Sequence, residues 1–242
     1  MPVRRVLITR PREDAADLAT ALHGLGIECL SEPLLEISYL APATCDLDGV
    51  QAVLLTSLNG VRALAQATAR RDLRLIAVGD ASAALARRFG FRQVASAAGD
   101  GKALAAKAIR ELDPQAGPLI HVSGKAVAGN LVGELAAAGF DCRHLVLYEA
   151  RPATALTPAC LSALRENRLD AVLFFSPRTA ATFVRLAEAA MVAGCCARLL
   201  AVCLSSATAA AAGAVTWQRI LVAAAPNQAA LLQRLQQEVD GG

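Results

Sequence analysis

Short apolar runs of strand length alternate with stretches of helical periodicity along almost the whole of this 242-residue chain. Such alternation constrains the fold strongly, because neighbouring parallel strands need a crossover long enough to hold a helix, and the helices then cover both faces of the sheet. Arg5-Val6-Leu7-Ile8-Thr9 is the first run, and Arg10-Pro11-Arg12-Glu13-Asp14 opens a helix with acidic residues in its first turn. Leu18, Leu22 and Leu25 give that helix an apolar face, Gly24 and Gly26 end it, and Ile27 to Leu30 follow as a strand. Ala52 to Thr56 is the next strand, turning at Ser57-Leu58-Asn59-Gly60 into a helix through Ala69. Leu75 to Val78 reads as a strand, Ala81 to Phe89 as a helix, Gln93 to Ala95 as a strand and Gly101 to Leu112 as a helix.

The pattern also repeats. Leu18, Leu22, Gly26 and Cys29 match Leu131, Leu135, Gly139 and Cys142 at a constant offset, since 131−18, 135−22, 139−26 and 142−29 all equal 113. Ala52 to Ser57 resembles Ala171 to Ser176, and Ala77-Val78 with Ser82 resembles Ala201-Val202 with Ser206. The order is therefore A, B, A′, B′, with about ten strands, five to each of two small doubly wound sheets. Either A pairs with B and A′ with B′, with one crossing near residue 115, or A pairs with B′ and B with A′, with crossings near 37 and 149. Extended apolar segments stand at both of the latter places, Glu32-Pro33-Leu34-Leu35-Glu36-Ile37 and His144 to Arg151, and favour the second arrangement.

Composition closes off several classes. The net charge is only +3, and no basic run is interleaved with aromatics, which argues against a nucleic-acid surface but leaves an anionic small molecule open. Arg62, Arg70, Arg71, Arg87 and Arg88 read as solvated helix faces. The seven cysteines Cys29, Cys45, Cys142, Cys160, Cys195, Cys196 and Cys203 are odd in number and lack C-x-x-C spacing, so they read as reduced thiols of a cytoplasmic protein. His23, His121 and His144 are scattered and predict no metal site. No signal-peptide pattern opens the chain, and the uncharged stretch from Leu199 to Gln218 is broken by small polar residues, so it predicts a strand and a helix rather than a membrane span.

In open parallel sheets, ligands lie beyond the carboxyl ends of the strands, against helix N-termini that favour anions. Small polar residues occupy those positions here: Thr9 and Arg10, Thr56 and Ser57 with Asn59, Gly79 with Ser82, Ser123-Gly124-Lys125, Ser176 with Arg178, and Ser205-Ser206. Each alone reads as a helix cap. Together, on two lobes facing a hinge, they predict a cleft lined with hydroxyls, backbone amides and a few cations. Tyr148, on the second crossing, either faces that cleft or packs under it. No G-x-G-x-x-G, P-loop or G-x-S-x-G elbow is present, so an enzyme here would work by positioning and one general acid or base.

Val6 to Pro11 followed by a helix and Gly26, Leu55-Thr56-Ser57 with Asn59-Gly60, Ala77-Val78-Gly79, Leu147-Tyr148-Glu149, Phe174 to Pro177 and the Ser205-Ser206 turn together resemble the uroporphyrinogen-III synthase family, from Val6 to about Leu235. The resemblance implies two parallel-sheet lobes joined by a two-stranded antiparallel hinge, one lobe from residues 1–36 and 152–242 and the other from 40–147. It also implies a reaction without cofactor. Hydroxymethylbilane, a linear tetrapyrrole with acetate and propionate arms, loses its hydroxyl, inverts its last ring through a spiro intermediate and closes. Carried over, Tyr148 matches the tyrosine thought to help protonate the leaving hydroxyl, and the strand-end groups would hold the carboxylates. A cytoplasmic monomer in transient contact with hydroxymethylbilane synthase is the implied setting. Cys203 and Leu204 stand where the family often has Gly and Pro, and Asn130 lies near a frequent arginine. From a different class, a non-catalytic two-lobed binder of an anionic metabolite fits the same polar loops; a two-lobed transferase fits less well, since no phosphate loop or carboxylate cluster is evident.

Overall fold

A computed structural model describes residues 3–40, 46–127 and 129–240, so Cys45 lies outside the described residues. The elements begin with β1 (Arg5–Ile8), α1 (Arg12–Gly24), β2 (Glu28–Ser31), β3 (Leu35–Tyr39), β4 (Ala52–Leu55), α2 (Leu58–Ala67) and β5 (Arg74–Ala77). They continue with α3 (Asp80–Arg88), β6 (Gln93–Ser96), α4 (Gly101–Glu111), β7 (Leu119–Gly124), α5 (Leu131–Ala137) and β8 (Cys142–Pro152). Last come α6 (Pro158–Arg165), β9 (Ala171–Phe174), α7 (Pro177–Ala189), a 3-10 turn at Ala193–Arg198, β10 (Leu200–Cys203), α8 (Ser206–Ala212), β11 (Arg219–Val222) and α9 (Gln228–Asp240). The protein is α/β with two mostly parallel sheets. One has five strands in the order β11-β10-β9-β1-β2; the other has six, β3-β8-β7-β4-β5-β6, one more than the five expected. The chain divides into two compact units, one of residues up to Glu36 with those from Arg151 on, the other Ile37–Ala150.

In the first unit the five strands run parallel. Period-two alternation sends Val6 and Ile8 to one face, where they meet Leu18 and Leu22 of α1 and Leu231 and Leu235 of α9. Leu7, Val172 and Phe174 face the other way, onto α6, α7 and α8. There the Phe174 ring meets Phe183 and Trp217 edge-on at centroid distances of 5.5 and 5.7 Å, and the Trp217 indole N–H donates to Ala212 O. Asp170 accepts from the N–H groups of Arg4 and Arg5 at 2.8 Å each and so fixes the start of β1.

The second unit follows the same logic. Val53 and Leu55 of β4 face α2 and α3, while Ala52 and Leu54 face α4 and α5. Each face of each sheet thus has its own buried core, and every fully buried leucine contributes ~1.5–3 kcal/mol of transfer free energy. In both sheets the strand order reverses beside the central strand, between β9 and β1 and between β7 and β4. These are the places where helices leave to opposite faces and a crevice opens at the carboxyl ends.

The internal repeat is visible in the pairing. Val6 sits opposite Cys29 and Leu119 opposite Cys142, and 119−6 and 142−29 both equal 113. Gly26 (φ 72°) and Gly139 (φ 89°) take the left-handed conformation just past α1 and α5, which a side chain would strain. The second part of the repeat is offset differently from the expectation. β5 ends at Ala77 and β10 at Cys203, so Ser82 corresponds to Thr208 rather than Ser206, each being the buried residue three positions after its helix cap. Among the described residues, no helix is long and apolar enough to cross a membrane, and no group of three or more His, Cys, Asp or Glu side chains could hold a metal ion.

Candidate functional site

The carboxyl ends of β4 and β7 in the Ile37–Ala150 unit flank a pocket of about 330 Å³, lined by Thr56, Ser57, Val78, Gly101, His121, Ser123, Gly124, Ala126, Val127 and Tyr148. It lies at the switch point of the six-stranded sheet, where α2 leaves to one face and α5 to the other. Thr56 and Ser57 follow β4 directly and point to opposite faces, so the turn presents one hydroxyl to each side of the crevice.

Ser57 caps α2: its Oγ accepts from the Gly60 N–H at 3.0 Å. The same Oγ lies 3.0 Å from the Tyr148 hydroxyl. Tyr148 reaches it because β7 and β8 slip in register between Ser123 and Gly124, where Ser123 pairs with Val146 but Gly124 pairs with Tyr148. The bulge leaves Leu147 without a partner on β7 and lets both Leu147 and Tyr148 pack on the α2 side of the sheet; strict alternation would send them to opposite faces. Gly124 makes room for the ring, since a Cβ there would lie 2.8 Å from Tyr148 Cε2 and 3.0 Å from Cζ.

On the other face His121, 1% exposed, sits with Nε2 3.1 Å from Thr56 Oγ1. Its Nδ1 is buried with no hydrogen-bond partner among the described residues. Burial, and secondarily the charge of His144, lower its pKa to about 4. The His144 ring lies 5.1 Å away, and its Nδ1 is 3.4 Å from the buried Ser123 hydroxyl. His121, Val78, Gly101, Ala126 and Val127 also line the pocket and are not among the expected site residues. Only His121 left a signal, as a polar ring inside the buried run Leu119-Ile120-His121-Val122.

Five expected residues of this unit, Thr56, Ser57, Ser123, Gly124 and Tyr148, line the pocket, and four do not. Asn59 accepts from Arg62 at 3.3 Å, Gly79 caps α3 through its backbone, and Ser82 is buried within α3. The Lys125 ammonium donates to Glu149 at 3.2 Å, so no cation lines the pocket among the described residues.

In the other unit the expected residues stand at the strand ends, and Thr9, Arg10, Ser176 and Ser205 are engaged with the protein. The Thr9 hydroxyl is buried and donates to Leu173 O at 2.7 Å, tying β1 to β9. Arg10 donates to Gln228 Oε1 at 2.8 Å, lies 3.7 Å from Asp14 and stacks 4.4 Å over the Phe175 ring. Ser176 and Ser205 cap α7 and α8, accepting from Thr179 N–H and Thr208 N–H, while Arg178 and Ser206 are exposed in the first turns of those helices.

Several solved structures resemble nearly the whole chain, among them the two that follow. Uroporphyrinogen-III synthetase from Helicobacter pylori has 17% identity and a TM-score of 0.63, covering 95% of this chain and 97% of that one. A mutant uroporphyrinogen III synthase from Thermus thermophilus has 17% identity and a TM-score of 0.57, covering 99% and 100%. A comparison with curated proteins found none that matches. At such identity the likeness establishes the fold alone, but the sequence model of the family described as uroporphyrinogen-III synthase HemD matches residues 16–233. The chain belongs to the uroporphyrinogen-III synthase family.

Proposed function

We propose that this chain cyclises hydroxymethylbilane to uroporphyrinogen III, with loss of water and inversion of the terminal pyrrole ring, in heme biosynthesis, and that the pocket beside Tyr148 takes the reacting end of the substrate. The family match over residues 16–233 carries the reaction. The geometry beside Tyr148 supports the assignment of the acid. A serine hydroxyl has one proton and two lone pairs. Ser57 Oγ accepts from Gly60, and its own proton can be donated to the Tyr148 oxygen; in that arrangement the phenol proton is free to point into the pocket. A phenol O–H is a proton donor, though a weak one. It can deliver its proton to the departing hydroxyl, which leaves as water, while Ser57 stabilises the phenolate until it is reprotonated.

The pocket is at the small end of the ~300–1,000 Å³ usual for ligand sites. It suits one pyrrole ring with its arms rather than a whole tetrapyrrole. The hydroxyls of Thr56, Ser57 and Ser123 are suited to the carboxylates. Residues 1–36 with 152–242, and 40–147, are proposed as the family's two lobes. The two crossings between them lie on the neighbouring strands β3 and β8. Leu40 N–H donates to Leu147 O and Ala153 N–H to Leu34 O; 40+147 and 34+153 both equal 187, which supports an antiparallel pair. A cytoplasmic monomer that takes substrate in transient contact with hydroxymethylbilane synthase completes the proposal.

Hydroxymethylbilane generated in place by its synthase, followed by oxidation and chromatographic separation of the porphyrin isomers, tests the reaction. This protein should switch the product from isomer I to isomer III. Persistence of isomer I with folded protein present would leave a non-catalytic binder of polyanions.

A further inference from the structure

Three observations about His121 remain once Tyr148 and Ser57 have been given their roles. The imidazole is buried in the central strand β7, its Nε2 touches Thr56 Oγ1, and its Nδ1 has no partner among the described residues. A neutral imidazole carries one proton, on one nitrogen or the other. A buried N–H without an acceptor is rarer and costlier than a buried lone pair without a donor, so the proton belongs on Nε2, where Thr56 Oγ1 accepts it. The Thr56 hydroxyl proton then has no acceptor within the described protein, and Thr56 lines the pocket.

We infer that His121 is a positioning residue: by donating from Nε2 to Thr56 it turns the Thr56 hydroxyl into a fixed donor for a carboxylate group of the ligand held in the pocket. The inference deepens the functional reading above and rests on it for the chemical class of ligand. The surroundings suit a neutral His121. The turn after β4 presents Thr56 and the α2 cap Ser57; β8 presents His144 and Tyr148, and α4 presents Gly101. None carries a negative charge that would hold an imidazolium. The low pKa of His121 is consistent with this at neutral pH.

The test measures binding of uroporphyrin III, whose acetate and propionate arms are those of the product, by fluorescence titration at pH 7.5 with the intact protein. His121→Met removes the donor and should weaken binding about tenfold, the size of one hydrogen bond. His121→Gln, whose amide reaches as far as Nε2, should restore most of it. Thr56→Val should cost about the same as His121→Met, and adding His121→Met to Thr56→Val should cost nothing further. Equal losses for His121→Met in both backgrounds, no loss at all, or no porphyrin binding by the unsubstituted protein would each overturn the inference. Should His121→Met not fold, ¹⁵N shifts of the His121 ring decide it: protonation at Nε2 alone is expected, and an Nδ1–H tautomer would refute it. Porphyrin binding that depends on His121 through Thr56, in a protein that leaves isomer I unchanged, would sink the reaction reading while leaving this one standing.

Discussion

Tyr148 and Gly124 form a pair whose parts have different consequences. Tyr148→Phe removes the proton donor but keeps the ring packing. Turnover should fall by up to ~10²-fold with isomer III still formed, since general acid catalysis supplies ~10²–10⁴-fold and positioning remains. Gly124→Ala adds a methyl group 2.8 Å from Tyr148 Cε2. It should destabilise by about 1–3 kcal/mol in urea unfolding and should cost little in a Tyr148→Ala background, where the ring has gone. His121 yields a prediction in pH. Its folded pKa, about 4, lies below the unfolded value near 6.5, so the unfolded chain binds the extra proton. The stability due to keeping it neutral is fully present above pH 6.5, declines as the pH falls and is lost below about 4, up to ~3 kcal/mol in total. Urea midpoints measured between pH 4 and 7.5 should therefore fall toward acid, and His121→Gln should flatten that part of the curve.

Four helices here begin with a serine or threonine whose hydroxyl accepts from the amide three residues on: Ser57, Thr157, Ser176 and Ser205. Replacing a cap of this kind with alanine costs ~1 kcal/mol, so Ser57→Ala and Ser176→Ala should lower stability alike. Only Ser57 also touches Tyr148, and only Ser57→Ala should slow formation of isomer III as well; equal activity in the two variants would detach Ser57 from the chemistry. This level is also where sequence reasoning stops. The alternation of strand and helix, the constant offset of 113 and the polar residues at strand ends could all be read directly, because each depends on local periodicity. Which hydroxyls face the pocket could not. Thr9 and Thr56 are both threonines after β-branched and apolar runs, yet Thr9 donates to Leu173 O while Thr56 lines the cavity, a difference set by the neighbouring strand. The bulge that brings Tyr148 to Ser57 depends on pairing between residues 123–124 and 146–148 and leaves no local pattern. The place of His121 in the site is not legible either, because spacing along the chain cannot reveal its packing against Thr56.

At the scale of the whole molecule, the two units differ in how the chain builds them. One is discontinuous. Its β1 lies between β9 and β2, so the strand beside the switch point comes from the first residues while three of its sheet partners come from beyond residue 170. Neither piece can complete that sheet alone. The other unit, Ile37–Ala150, is one continuous stretch of 114 residues (150−37+1) with a core on each face of its sheet. A domain of that length buries enough surface to fold by itself. A fragment of residues 37–150 should therefore show native-like helix and strand content by circular dichroism and unfold in one cooperative step in urea, whereas fragments 3–36 and 151–240, each lacking strands of the shared sheet, should not. The fragment retains Ser57, His121, Gly124 and Tyr148. If it folds with the Ser57–Tyr148 contact intact, Gly124→Ala should destabilise it as much as it destabilises the full chain, because the ring and the glycine both lie inside this unit. A fragment that stays unfolded would mean that its cores need the rest of the chain, and the pocket could no longer be treated as the property of one unit.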